Sequence, residues 1–232
     1  MRARGEFLTV ASHELHTPVT SLMLAVQSLR RVAPSGRPLD PQSMDRLLEI
    51  AERQGARLTK LVDDLLDVSR LEERQMQLDL TDVDLGALAR EVVERFDSDL
   101  VRSQCPISLK DDARVVGRWD RSRLDRVVTN LLSNAIKFGP GKPIELEVGS
   151  ERGVAWLAVR DHGIGIDQAA CVRIFGRFER AVSERHYGGL GLGLYISRRI
   201  VEDHGGSIRC ESQPRVGATF TIELPCARPP PS

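Results

Sequence analysis

The chain opens on a long helical pattern. Leu8, Ala11, Leu15, Pro18, Leu22, Ala25, Leu29 and Val32 step by three and four residues without a break, which is the seam of a helix–helix contact. Pro34, Gly36, Pro38 and Pro41 end the pattern. A second run follows with Met44, Leu47, Ala51, Gln54, Leu58, Leu61, Leu65 and Val68, and Leu48, Val62 and Leu66 widen its apolar face. A short connection between two such helices makes an antiparallel hairpin. Two helices cannot cover faces this wide. A second copy is the simplest cover, so the pattern predicts a homodimer with a four-helix bundle.

After Arg70 the period changes. Met76 to Leu80 alternates as a short strand does, and Leu85 to Leu100 reads as one helix with Leu85, Leu88, Ala89, Val92, Val93 and Phe96 inward. Ile107 to Leu109 and Val115 to Trp119 read as strands, and Asp120 caps a helix from Arg121 to Phe138. Ile144 to Val148 and Val154 to Val159 alternate around a five-residue loop, Gly149-Ser150-Glu151-Arg152-Gly153. Leu190 to His204 reads as a helix ended by Gly205-Gly206, and Ile208 to Glu211 with Ala218 to Leu224 form a closing hairpin. The predicted fold is therefore a dimerising helical hairpin over residues 1–74, an α/β sandwich over 75–226 and a disordered tail over 227–232.

Charge narrows the function classes. Lys+Arg and Asp+Glu both count 33, and this balance argues against a nucleic-acid-binding domain, which would be basic. No run approaches the length of apolar chain that spans a bilayer, and no signal peptide precedes the first helix, so the expected location is cytoplasmic. Cys105, Cys171, Cys210 and Cys226 have no C-x-x-C spacing, so they read as reduced thiols rather than a zinc or redox motif.

Candidate chemistry lies in five stretches. In Ser12-His13-Glu14-Leu15-His16-Thr17-Pro18, His13 is about 200° around the helix from Ala11 and points away from the seam. Thr17, at i+4, shares its face, and Pro18 removes a helix N–H and should bend the helix. Asn130, Asn134 and Lys137 fall at i, i+4 and i+7 on one helix face, a row suited to a magnesium-bound polyphosphate. Asp161-His162-Gly163-Ile164-Gly165 follows a strand, where a carboxylate can accept from an exocyclic amine such as that of adenine. Gly188-Gly189-Leu190-Gly191-Leu192-Gly193 opens a helix and aims free N–H groups at phosphate, with neither a G-K-[ST] nor a preceding strand. Between Asp167 and Gly189 a long polar stretch with Arg173, Arg177, Arg180, Arg185, Phe175 and Phe178 reads as a mobile lid.

Taken together and in order, these stretches resemble the sensor histidine kinases of two-component systems. Ser12 to Pro18 resembles the H box, Asn130-x-x-x-Asn134-Ala135-Ile136-Lys137-Phe138 the N box, and Asp161-x-Gly163-x-Gly165 the first glycine box. Ile174-Phe175-Gly176-Arg177-Phe178 resembles the F box, Gly189-Leu190-Gly191-Leu192-Gly193-Leu194 the second glycine box, and Val216-Gly217-Ala218-Thr219-Phe220 the terminal G-x-T-F element. The resemblance covers nearly the whole chain. It implies a dimerisation and histidine-phosphotransfer hairpin followed by a Bergerat-type sandwich, as in the gyrase and Hsp90 ATPases.

The resemblance also implies roles. His13 would be the phosphoacceptor, Glu14 would take the proton from its other nitrogen, and Thr17 would hold a water for phosphatase chemistry on a partner. Asn134 would ligate Mg²⁺, with Asn130 and Lys137 at the phosphates of ATP. Asp161 would read adenine, with Gly163, Gly165, Ile166, Gly189, Leu190, Gly191, Leu192, Gly193 and Thr219 lining the nucleotide site. The implied partner is a response-regulator receiver domain whose aspartate takes the phosphoryl group, with contact to a membrane only through segments beyond this chain. His16 stands where the family usually has arginine, which puts that residue's charge contact in question. Two rival functions stay open: an ATPase of the same superfamily that works by conformational change, and a signalling scaffold with a silent nucleotide site.

Overall fold

The two heptad-like runs fold as helices α1 (Arg2–Val32) and α2 (Pro41–Glu72), which pack on each other in the computed structural model. The structure describes residues 2–32, 40–72, 78–111, 114–179, 181 and 190–226, and leaves out the side chains of residues 2–10, 13, 31–32, 41 and 69–72. The connection after Val32 and the tail predicted from residue 227 lie outside the described residues. Ala11, Glu14, Pro18 and Ala25 of α1 and Leu61 and Val68 of α2 are buried, at the spacing of three, four and seven residues that a helix seam requires. α1 runs through Pro18 without interruption. A second stripe stays exposed: Val19, Met23, Leu24 and Val26 on α1, and Met44, Leu48, Val62 and Leu66 on α2. One hairpin leaves these apolar side chains uncovered. The chain divides into two compact units, one of Met1–Glu72 together with Leu190 and one of the rest of the chain from Glu73 onward.

The second unit begins with a short strand, β1 (Thr81–Asp84), paired antiparallel with β3 (Val116–Trp119). The strand is therefore later than the alternation of Met76 to Leu80 predicts. Residues 78–80 of that stretch are not strand, and Met76 and Gln77 lie outside the described residues. β3 offers Thr81–Asp84 a partner, while the Asp79 N–H goes to the Asp120 carboxylate at 3.2 Å instead of a ladder. The helix expected over Leu85 to Leu100 is two, α3 (Leu85–Arg95) and α4 (Asp97–Arg102), broken where Phe96 takes φ −93°, ψ 3°. Leu85, Leu88, Ala89 and Val92 face the core as expected, whereas Val93 and Phe96 are half-buried at the break.

The main sheet has five strands in the order β2 (Ile107–Lys110), β4 (Ile144–Glu151), β5 (Val154–Asp161), β7 (Gly217–Pro225) and β6 (Ser207–Gln213). β2 and β4 are parallel and the other pairs antiparallel. β4 and β5 run through most of the predicted five-residue loop. Only Arg152 and Gly153 turn, with φ 52° and 80°, the paired positive φ of a type I′ hairpin. α5 (Arg121–Phe138) packs on β5, and α7 (Gly193–Asp203) packs on β6, β7 and α5. Leu124, Val127, Val128, Leu131 and Leu132 of α5 and Ile196, Ile200 and Val201 of α7 are buried in this layer. A helix that the sequence did not suggest, α6 (Gln168–Arg173), occupies the start of the stretch read as a lid, capped by Asp167 with Ala169 N at 2.7 Å. Among the described residues no helix is long and apolar enough to cross a membrane.

Candidate active site

Strand period places the carboxylate. Ala155, Leu157, Val159 and Asp161 are the buried positions of β5, so Asp161 points to the same face as the core residues before it. The strand ends there, and the chain turns back so that Gly163 N donates to Asp161 Oδ1 at 2.8 Å. Burial pushes the Asp161 carboxyl above its usual value, while the Gly163 and Ala218 N–H groups pull the other way. A carboxylate has about four acceptor positions. Two backbone donors leave room for an amine N–H, so the group fits the exocyclic amine of a purine.

Register across the sheet carries this face further. Ile144, Asp161, Ala218 and Ser212 form one cross-strand row on β4, β5, β7 and β6. The next row is Glu145, Arg160, Thr219 and Glu211, on the opposite face. Thr219, expected in the nucleotide site, therefore projects on the solvent-side polar face with Arg160 and Glu211 and is not brought to Asp161. The residue beside Asp161 is Ala218, and it contributes its main chain. His162 turns to the same polar face, with Nε2 2.8 Å from Glu145 Oε1, and this hydrogen bond holds the Glu145 carboxyl below its usual value.

The N-box face is where the helical period put it. Asn130, Asn134 and Lys137 are half-buried along one side of α5, while Val127, Val128, Leu131 and Ala135 are in the core. Asn130 Nδ2 donates to Ser197 Oγ of α7 at 3.0 Å. A Cβ on Gly193, the first residue of α7, would fall 2.3 Å from Asn130 Oδ1, so only glycine lets the helix start so close to the carboxamide. The Leu192 cap position makes no side-chain capping bond. The first N–H groups of α7 thus start beside Asn130, an arrangement able to take a phosphate. At the other end of α5, Ile164 N donates to Phe138 O at 3.1 Å, and Gly139 closes the helix. The Lys137 ammonium lies 5.0 Å from the Phe138 ring centroid.

The first glycine turn, the N-box helix and the start of α7 are thereby brought together. Gly163, Gly165 and Ile166 form the turn, with Ile166 N donating to Ser212 Oγ at 2.8 Å. Gly191 and Leu192 precede α7, and Leu190 and Leu192 are buried. Gly189, Arg180 and Arg185 lie outside the described residues. The F-box segment reaches α7 through Arg177, whose guanidinium is 4.9 Å from the Tyr195 ring centroid.

One group to which sequence reasoning gave no role, His204, and the predicted cap Asp120 support this arrangement. His204, at the end of α7, is 7% exposed. Its Nε2 accepts the Asp120 N–H at 2.9 Å, and its Nδ1 donates to Ile200 O at 2.7 Å, so the ring is neutral. Burial lowers its pKa against the opposing pull of the Ile200 carbonyl and the Asp120 and Asp203 carboxylates, with Arg123 acting in the same direction as burial. Asp120 caps α5 as predicted. Burial alone would raise its pKa, but donors from Ser122, Arg123 and Asp79 outweigh that and hold it below the usual value.

In the first unit His13 lies on α1, and its side chain is outside the described residues. Thr17 and His16 are exposed. Glu14 is not on that exposed face. It is buried in the seam, and Arg57 of α2 donates to its Oε2 at 3.1 Å. Cys171 and Cys210, read as separate thiols, have sulfurs 3.5 Å apart without a disulfide.

Comparison with known proteins matches two families in series. Residues 3–74 match the His Kinase A (phospho-acceptor) domain, and residues 119–228 match the histidine kinase-, DNA gyrase B- and HSP90-like ATPase. The chain is 36% identical over 229 residues to a circadian input-output histidine kinase, CikA, of Synechococcus elongatus, covering 96% of this chain and 30% of that protein. It is 35% identical over 229 residues to the sensor-like histidine kinase SenX3 of Mycolicibacterium smegmatis, covering 96% and 57%. The chain thus spans 30% and 57% of the lengths of these two curated relatives. Among solved structures, the Acinetobacter baumannii histidine kinase AdeS superposes with TM-score 0.70 at 25% identity, covering 92% of this chain and 98% of that one.

Proposed function

The chain belongs to the histidine kinases, and from that premise we propose that it is a catalytic core that moves the γ-phosphoryl group of ATP onto His13. The phosphotransfer part spans residues 1–74 and the ATP-binding part residues 75–226. One observation carries the reading: α5 joins a buried carboxylate, whose turn bonds the helix's last residue Phe138, to the row of carboxamides and lysine along its face and to the uncapped N-terminus of α7 beside Asn130. Asp161 accepts from the adenine amine, with Gly163, Gly165 and Ile166 shaping the turn beneath the base. Asn130, Lys137 and the N-terminus of α7, led in by Gly189, Leu190, Gly191, Leu192 and Gly193, take the phosphates. Mg²⁺ on the Asn134 amide oxygen would neutralise phosphate charge.

In the transfer, an imidazole nitrogen of His13 attacks the γ-phosphorus, the bond to the bridging oxygen breaks, and ADP leaves. Glu14, whose Oε2 accepts from Arg57 in the seam, takes the proton from the other nitrogen. The phosphoryl group then passes to an aspartate of a response-regulator receiver domain. Thr17 holds the water that removes it again in the reverse, phosphatase role. The exposed stripe of Met23, Val26, Val62 and Leu66 is the face that a second copy covers. Reaction takes place where ATP is abundant, in the cytoplasm.

The test is incubation with γ-labelled ATP and Mg²⁺. Label on the protein that is acid-labile and alkali-stable, and absent from His13→Ala, is the expected result. Release of inorganic phosphate with no protein label would make the chain an ATPase of the same superfamily. Label retained in His13→Ala but lost in His16→Ala would move the acceptor to His16.

A further inference from the structure

Ser212 lies on β6, in the same cross-strand row as Ala218 and Asp161. Its side chain therefore shares a face with the Asp161 carboxylate, two strands away. Its hydroxyl makes two hydrogen bonds. It accepts the Ile166 N–H at 2.8 Å, from the end of the turn that begins at Asp161, and it donates to Gly217 O at 2.6 Å, at the first residue of β7. The backbone on either side is tightly set. A Cβ on Gly217 would lie 2.0 Å from Asp161 O, and Arg215 N donates to Ile164 O at 2.7 Å. The two N–H groups on the Asp161 carboxylate come from the segments that Ser212 bridges, Gly163 from the turn and Ala218 from β7.

We propose that Ser212 is a positioning residue that acts through Asp161: its hydroxyl holds the turn and the start of β7 at the spacing at which Gly163 N and Ala218 N orient the carboxylate toward the purine amine. The inference rests on the reading of Asp161 as the adenine contact. Removing the hydroxyl leaves the Ile166 N–H and the Gly217 carbonyl without that partner, and the gap relaxes. Neither hydrogen bond of Ser212 runs to α5 or α7, which build the phosphate end of the site. The loss therefore falls on recognition of the base and not on the phosphates.

The experiment is calorimetric titration of the whole chain with ATP and with inosine triphosphate, which carries a carbonyl in place of the exocyclic amine. Ser212→Ala should weaken ATP about tenfold. It should leave inosine triphosphate unchanged, and Ser212→Thr, which keeps the hydroxyl, should restore ATP affinity. In the double variant with Asp161→Ala, the serine substitution should add nothing further, because the group it orients is gone. Equal loss for both nucleotides, or losses that multiply in the double variant, would overturn the proposal while leaving Asp161 as the base contact. Full ATP affinity in Asp161→Ala alone would remove the pocket reading, and the positioning role with it. Should Ser212→Ala not fold, Ser212→Cys, a weaker donor of similar volume, carries the same expectation.

Discussion

Substitution of His204 separates a packing contribution from a protonation contribution at the junction of α5 and α7. The ring is 7% exposed and bonded on both sides, to the Asp120 N–H at 2.9 Å and the Ile200 carbonyl at 2.7 Å. His204→Ala leaves the Asp120 N–H buried without this acceptor, about 1–3 kcal/mol, and adds the loss of a buried ring. His204→Gln keeps an amide oxygen for that N–H and removes the titration. Because burial lowers the folded-state pKa of His204, the unfolded chain takes up its proton first as pH falls. The contribution of the neutral ring is complete above the unfolded value, about 6.5, and is lost as pH falls from there to the folded value, at about 1.4 kcal/mol per pH unit. Asp120, whose carboxyl is also held low, contributes stability that is lost only below about pH 4, so its window opens below the start of the His204 window. Both tryptophans, Trp119 and Trp156, lie in the second unit, and Trp119 is buried beside Asp120, so urea unfolding followed by tryptophan fluorescence reports the junction. The wild type should exceed His204→Gln in stability at pH 7.5 and lose that margin by pH 5.5. A margin that stays constant, or widens, as pH falls would refute the neutral buried ring.

Gly193→Ala should weaken ATP binding about tenfold with the fold intact, because the methyl group displaces the Asn130 carboxamide from Ser197; unchanged affinity by titration would show that Asn130 makes no contribution to the nucleotide. Arg215→Gly should raise the melting temperature, since Arg215 holds φ 66° and an L-residue there costs about 1–2 kcal/mol, whereas its N–H to Ile164 O is kept; a lower melting temperature would mean that the side chain outweighs the strain. Leu66→Glu should convert a dimer to a monomer by light scattering, as the charge enters the proposed seam between copies; a wild type that is already monomeric at micromolar concentration would remove the four-helix bundle.

What the sequence made legible is what depends on local period. Asn130, Asn134 and Lys137 share a face because 3.6 residues complete a helical turn, and the apolar residues between them identify the other face. Asp161 is inward because the strand before it alternates. The Asp120 cap was legible from the residue type at a helix start. Its partner His204 was not, because the two are 84 positions apart and nothing in either neighbourhood names the other. Ser212 gave no signal for the same reason: a serine on an edge strand reads as solvent-facing until β7 and the Asp161 turn are placed against it. The burial of Glu14 had a local signal, since it is three residues after Ala11 and four before Pro18, both on the seam. The apolar Leu15 beside it drew the seam one position along.

Thr219 and Ala218 show why a motif names a place better than it names a side chain. Both stand in the terminal G-x-T-F element, and the polar one is the natural choice for a ligand contact. Strand register decides otherwise, because adjacent residues face opposite sides of β7, and Ala218 is the one opposite Asp161. The contribution at that point is a backbone N–H, which any residue but proline supplies. The same holds for the Gly163 N–H and for the first N–H groups of α7. Much of the site is therefore main chain, and its trace in the sequence is the glycine at which a Cβ would collide, as at Gly193 against Asn130. Glycine spacing thus carried the recognition, while the side chains that orient this backbone, Ser212 and His204, became visible only once the sheet and the two helices were assembled.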